Sequence, residues 1–86
     1  MAEISGHNDV IQPCQCRAAR GLLDWTQDHL AHAAGVSRST IRDFESGRHA
    51  LQRSTARLIE TALDEAGVVL LNAEAEGFGV RLAAAR

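Results

Sequence analysis

The chain has no lysine and no tyrosine, one proline, and three aromatic residues among 86. With only Trp25, Phe44 and Phe78 to supply rings, its core must be built from Leu, Ile, Val and Ala. No apolar run approaches the roughly 20 residues that cross a bilayer. No basic-then-apolar leader opens the sequence, so a cytoplasmic protein is expected. No nucleophile lies beside a base, no carboxylates pair, and no glycine-rich loop is shaped to cradle phosphate. An enzyme is therefore not expected, nor is any cofactor. The two cysteines form a C-x-C at Cys14 and Cys16. On a helix, residues two apart point to opposite sides, which suits a bridge poorly. A zinc site needs four ligands, and His7, His29, His32 and His49 are scattered. The plainer reading is a buried Cys16 acting as a small hydrophobe, an exposed Cys14 and no metal.

The formal charge is −2, which argues weakly against nucleic acid, but the distribution is uneven. Residues 35–57 hold five arginines (38, 42, 48, 53 and 57) against Asp43 and Glu45, while acids outnumber arginines on either side. Arginine suits phosphate and guanine by its forked geometry. A GC-rich genome would produce the same absence of lysine, and that explanation carries the larger share.

What the chain does have is concentrated in residues 26–48. Thr26 is a helix N-cap, able to accept one of the first free backbone N–H groups. Leu30, Ala31 and Ala34 follow at helical spacing. Gly35 ends that helix in the left-handed region that glycine reaches without strain. Ser37 is a second N-cap, Ile41, Phe44 and the stem of Glu45 share one side of the next helix, and Gly47 stops it. Each helix repeats a hydrophobic staple, Trp25 with Leu30 and Val36 with Ile41. Two short helices joined by a tight turn form the helix-turn-helix pattern. With Ile41 inward and about 100° per residue, Ser39 and Asp43 point outward, flanked by Thr40, Arg42 and Ser46. That polar face fits either a groove of DNA or plain solvent.

Thr26-Gln27, Leu30-Ala31, Gly35-Val36-Ser37, Ile41, Glu45 and Gly47 together resemble the phage repressor and Cro-like helix-turn-helix family, also called the xenobiotic-response-element (XRE) family. The likeness is sharp over residues 17–53 and looser through the C-terminal segment. It implies a mostly α fold: a lambda-repressor-like four-helix domain with a helix-turn-helix, plus a C-terminal β-hairpin. It implies an ion pair between Arg20 and Glu45. It makes Ser37, Arg38, Ser39, Arg42 and Asp43 the base-reading set, and Thr26, Gln27, Ser46, Arg48 and Arg53 the phosphate contacts. Asp43 departs from the pattern, since phosphates repel a carboxylate. It either accepts from cytosine or pairs with Ser39 or a nearby arginine to orient them. Leu51 departs too, in a connector that often holds proline.

The rest of the chain fits around this motif. Residues 1–11 have no period and read as a flexible leader, with the helix-turn-helix domain spanning 12–67. Pro13 opens a first helix over 13–23, a position where its missing N–H costs nothing. Cys16, Ala19, Arg20 and Leu23 recur on its inner face. A fourth helix over 52–66 carries Leu58, Ile59, Ala62, Leu63 and Ala66, and Gly67 terminates it. Residues 68–83 then change period. VVLLN and FGVRL read as two strands joined by about five residues, and 84–86 as a tail. A lone hairpin is marginal in water, and its free edge invites a partner. Val69, Leu71, Val80 and Leu82 are the expected dimer contacts, the alternative being a flap that only closes the core.

The function expected is sequence-specific binding of double-stranded DNA, most simply as a homodimeric repressor on a palindromic operator. Two other readings stay open: an antitoxin that also sequesters a toxin partner, and a protein-interaction module that binds no DNA.

Overall fold

The computed structural model describes residues 10–73 and 77–83. Four helices come first in chain order: α1 (Pro13–Leu23), α2 (Gln27–Ala34), α3 (Arg38–Glu45) and α4 (Arg53–Glu65). They are followed by strands β1 (Val68–Ala73) and β2 (Gly77–Leu82). The four-helix domain with its hairpin is the fold the resemblance implied. The helix ends follow local chemistry. Pro13 opens α1, and Asp24 closes it in the left-handed region at φ 59°. The Thr26 hydroxyl accepts from His29 N at 3.0 Å, and Ser37 Oγ accepts from Thr40 N at 3.1 Å. Each satisfies a backbone donor that the first turn would otherwise leave free. Gly35 sits at φ 75°, so the turn between α2 and α3 is one that a side chain would strain.

One apolar core joins these elements. Cys16, Ala19, Leu30, Ile41, Ile59 and Leu63 are fully buried, with Val68 and Phe44 close behind. Helix α2 packs on α3 and α4, while α1 packs on α3 and both strands. The core reaches further toward the N-terminus than expected. Ile11 is 1 % exposed, and its N–H donates to Glu60 Oε2 on α4 at 3.0 Å. The last residue assigned to a flexible leader therefore belongs to the packed domain; residues 1–9 lie outside the described residues, as do the loop tip 74–76 and the tail 84–86. Leu58 is a second correction. The buried stripe of α4 is Ala56, Ile59, Ala62 and Leu63, and Leu58, two residues after Ala56, is rotated to the exposed side.

The hairpin is antiparallel, pairing Val68 with Leu82 and Leu70 with Val80. Each strand is one residue longer than the spacing suggested. Directly opposed residues share a face, so Leu70 and Val80 lie together, and both pack against the core. Val69 and Leu71 lie on the other face. The four expected dimer contacts are thus split between two faces, and Val80 is engaged by its own helices. Among the described residues, three of the five exposed large hydrophobic side chains, Leu71, Phe78 and Leu82, are in this short unit.

Gln15 holds the hairpin to α1, and its buried side chain was not anticipated. Its Oε1 accepts from Gln12 N at 2.9 Å. Its Nε2 donates to Leu71 O at 3.0 Å, Asn72 Oδ1 at 2.7 Å and Gly79 O at 3.1 Å. One amide thereby grips both strands. Gln15→Leu strands those acceptors, so it should cost about 1–3 kcal/mol. A lower melting temperature and faster amide exchange confined to β1 and β2 are expected. Unchanged hairpin exchange would contradict this anchoring role.

Candidate nucleic-acid interface

The interface is built on α3, and its geometry begins on the buried side. Ile41 is fully enclosed, Phe44 is 5 % exposed and Glu45 is 3 % exposed. Those three residues fix which way the helix is turned. Arg38, Ser39 and Arg42 then stand exposed on the opposite side. Asp43 is half-buried beside Arg42.

Glu45 is the anchor of that orientation. Arg20 donates to it twice, Nη2 to Oε1 at 2.7 Å and Nε to Oε2 at 2.8 Å, the forked geometry that makes such pairs strong. Gln27 Nε2 adds a bond to Oε1 at 3.1 Å, and the Cys16 thiol one to Oε2 at 3.1 Å. Arg17 Nη1 donates to the Glu45 backbone carbonyl. Arg20 also reaches Trp25 O at 3.0 Å, so it ties the turn before α2 as well. Burial alone raises the Glu45 carboxyl. The bonds from Arg20, Cys16 and Gln27, with the Arg20 charge, outweigh it and bring the group below its ordinary value. The Arg20–Glu45 pair is present as the resemblance implied. The bonds from Cys16, Arg17 and Gln27 were not foreseen. Cys16 and Arg20, one helical turn apart, were the sequence signal available.

On the outer side the side chains are already partly committed. Arg42 Nε pairs with Asp43 Oδ1 at 3.2 Å, one of the two roles left open for Asp43. Ser37 Oγ lies 3.1 Å from Ser39 Oγ and 2.8 Å from Thr40 Oγ1. Among the residues expected to touch phosphate, Thr26 uses its oxygen as a cap acceptor and keeps its proton. Gln27 gives one amide proton to Glu45 and keeps the second. Ser46 donates its hydroxyl to Asp43 O at 3.0 Å, so it has no proton for a phosphate unless it turns. Arg48 and Arg53 are exposed on either side of the connector. Arg48 N and His49 N both donate to Asp43 O, at 2.9 and 3.3 Å, which lays the connector against the end of α3. Between them runs an open groove of about 270 Å³ lined by Ser39, Asp43, His49, Gln52 and Thr55. His49, Gln52 and Thr55 entered no sequence-based set, because the connector has no periodic pattern to place it.

Among the described residues no cluster of metal-binding side chains forms, and Cys14 is exposed while Cys16 is buried. Nor, among the described residues, is any helix long and apolar enough to cross a membrane.

Two capped helices crossing at a glycine turn, the second rigidly held and polar on its free side, define a helix-turn-helix DNA-binding domain. A family model described as helix-turn-helix matches residues 17–68, more than half of the chain. The chain belongs to that family, the Cro/C1-type helix-turn-helix proteins. It is a family of DNA-binding regulators, generally not enzymes. No curated protein matches the sequence significantly.

Two outcomes follow from the buried carboxylate. Arg20→Ala leaves Glu45 enclosed without its cation, and breaking such a pair costs about 3 kcal/mol or more, measurable by chemical denaturation. The pH dependence has a definite sign. The folded carboxyl titrates below its reference value of 4.5. Its contribution is therefore complete above that value and is lost as pH falls through the folded one. Glu45→Gln should flatten the fall in melting temperature below pH 4.5; an unchanged slope would refute the assignment.

Proposed function

We propose that this protein is a sequence-specific repressor that binds double-stranded DNA as a homodimer, with α3 in the major groove. The observation that carries the reading is the rotation of α3: Glu45 and Ile41 locked inward, Arg38, Ser39 and Arg42 exposed outward. In helix-turn-helix proteins the second helix enters the major groove and the first crosses the backbone.

Arg42 and Arg38 are the readers of guanine, through O6 and N7, each discriminating by about 1–3 kcal/mol. The pairing of Arg42 Nε with Asp43 supports an orienting role for the carboxylate. It holds the guanidinium while leaving the two terminal nitrogens as the fork that guanine requires. Asp43 accepting from cytosine N4 is the competing role. Ser37 and Ser39 are short donors or acceptors at the first turn. Arg48 and Arg53 are the phosphate grips, joined by the spare protons of Thr26 and Gln27. These position the protein and specify no sequence. Gln27 contacts Glu45 as well, so a phosphate held there bears directly on the anchored end of α3.

The hairpin supplies the dimer contact. Its apolar residues Val69 and Leu71, which share the face turned away from the helices, with the free strand edges, are the surface to be covered by a second copy. A two-fold dimer reads two half-sites about one helical turn apart, hence a palindromic operator. A domain of this size acts by occupying a promoter, in the compartment that holds the DNA. The same apolar residues favour one second reading, an antitoxin whose hairpin also covers a toxin.

Selection from a random duplex pool, followed by footprinting, should return an inverted repeat. Arg42→Ala should relax preference at one position, whereas Arg48→Ala should weaken all duplexes alike and reduce the salt slope by about one. If both bind like the parent, the surface is misassigned. Leu71→Glu should give a monomer in sedimentation equilibrium; an unaltered dimer places the interface elsewhere, and a parent that is monomeric until a second protein is added favours the antitoxin.

A further inference from the structure

We propose that Cys16 is a positioning residue for DNA reading: its thiol proton fills the last acceptor site of the Glu45 carboxylate and so fixes the rotation of α3. The inference rests on the DNA-reading role just given.

A carboxylate offers about four acceptor sites, two on each oxygen. Around Glu45 they are taken one by one. Oε1 receives Arg20 Nη2 and Gln27 Nε2, and Oε2 receives Arg20 Nε and Cys16 Sγ. The guanidinium occupies one site on each oxygen, and the amide occupies the second on Oε1. The remaining site on Oε2 lies inside the core and faces the Cys16 thiol. Cys16 is 0 % exposed and Glu45 3 %. No buried side-chain polar atom among the described residues lacks a partner, and without the thiol Oε2 would keep an open site inside the core.

The donor must be a thiol and not a thiolate. Burial, the bond to Glu45 and the Glu45 charge all push the Cys16 thiol far above its ordinary value, against weaker opposition from Arg20 and Arg17. Cys16 therefore keeps its proton, and with it the bond, at neutral pH. It is likewise closed to alkylation and oxidation, reactions that require an accessible thiolate. The expectation of a plain small hydrophobe accounts for the burial but not for the 3.1 Å approach to a carboxylate. A carboxylate and an apolar side chain of the same volume would not be placed so.

The position along the chain matters too. Cys16 and Arg20 are one turn apart on α1, and both meet the last residue of α3. Gln15, the neighbour of Cys16, holds the hairpin. The helix that fixes the sheet thus also sets the angle at which Arg38, Ser39 and Arg42 are presented.

The test uses the full chain and a duplex recovered by the parent from a random pool. Cys16→Val removes the donor while filling the site with an apolar side chain; Cys16→Ser keeps a donor. Cys16→Val should lose about tenfold in affinity for the selected duplex, with binding to an unrelated duplex unchanged. Cys16→Ser should stay within about threefold of the parent. In the Raman spectrum of the parent, the S–H stretch of Cys16 should lie below that of the exposed Cys14 and vanish in Cys16→Val. Equal affinity and specificity for Cys16→Val and the parent would overturn the inference alone. So would a Cys16→Ser variant as weak as Cys16→Val, which would show that a donor at this position does not restore reading. A parent that selects no duplex would remove the DNA-reading role and this inference with it. Should Cys16→Val fail to fold, the S–H frequency decides: a free-thiol value overturns the proposal.

Discussion

A single buried carboxylate sets the working geometry of this molecule. Enclosing a charge is costly unless it is paired and hydrogen-bonded. Glu45 meets both conditions through Arg20, Gln27 and Cys16, with Arg17 on its carbonyl. Because those donors come from α1 and from the first turn of α2, α3 cannot rotate without breaking bonds to both. An apolar contact such as that of Ile41 would tolerate a few degrees of roll. A forked guanidinium on a carboxylate tolerates far less, and a few degrees matter for a helix that aims short side chains at base edges.

The first helix emerges as the hub. Its successive residues Gln15 and Cys16 face different neighbours, the hairpin and the α3 anchor, since adjacent positions on a helix diverge by about 100°. A hairpin of two strands is marginal alone. Here it is stable because Leu70 and Val80 lie on the core and one amide bonds to both strands. That leaves Leu71, Phe78 and Leu82 outside, a concentration of apolar surface on a domain whose remaining exterior is mainly polar. The charge follows the same division of labour. Arginines cluster on and after α3, while acids outnumber them on either side of that stretch.

Much of this was legible before any coordinates. Thr26, Ser37, Gly35 and Pro13 are local signals, and each acts within one turn of its own position. The helices they bound begin and end where those residues say. The resemblance added the Arg20–Glu45 pair, which spacing alone would not have revealed. Reading failed where the deciding contact came from far along the chain. Ile11 looked like leader because nothing near it is periodic; its partner is Glu60. Leu58 looked like core because it sits within an apolar cluster, and only the stripe through Ile59 and Leu63 excludes it. Gln15 was invisible as a donor, since its acceptors lie on β1 and β2, and for the Cys16 thiol only its spacing from Arg20 hinted at an acceptor on α3.

The sequence by itself determined the elements, their caps and the turn of the helix-turn-helix, because these depend on neighbours within four residues. It also determined which face of α3 is polar. Tertiary structure alone decided how that face is held, which hairpin residues turn to the core, and what Asp43 and Gln27 bond to. Those outcomes depend on groups brought together from distant positions, and a short-range pattern carries no record of them.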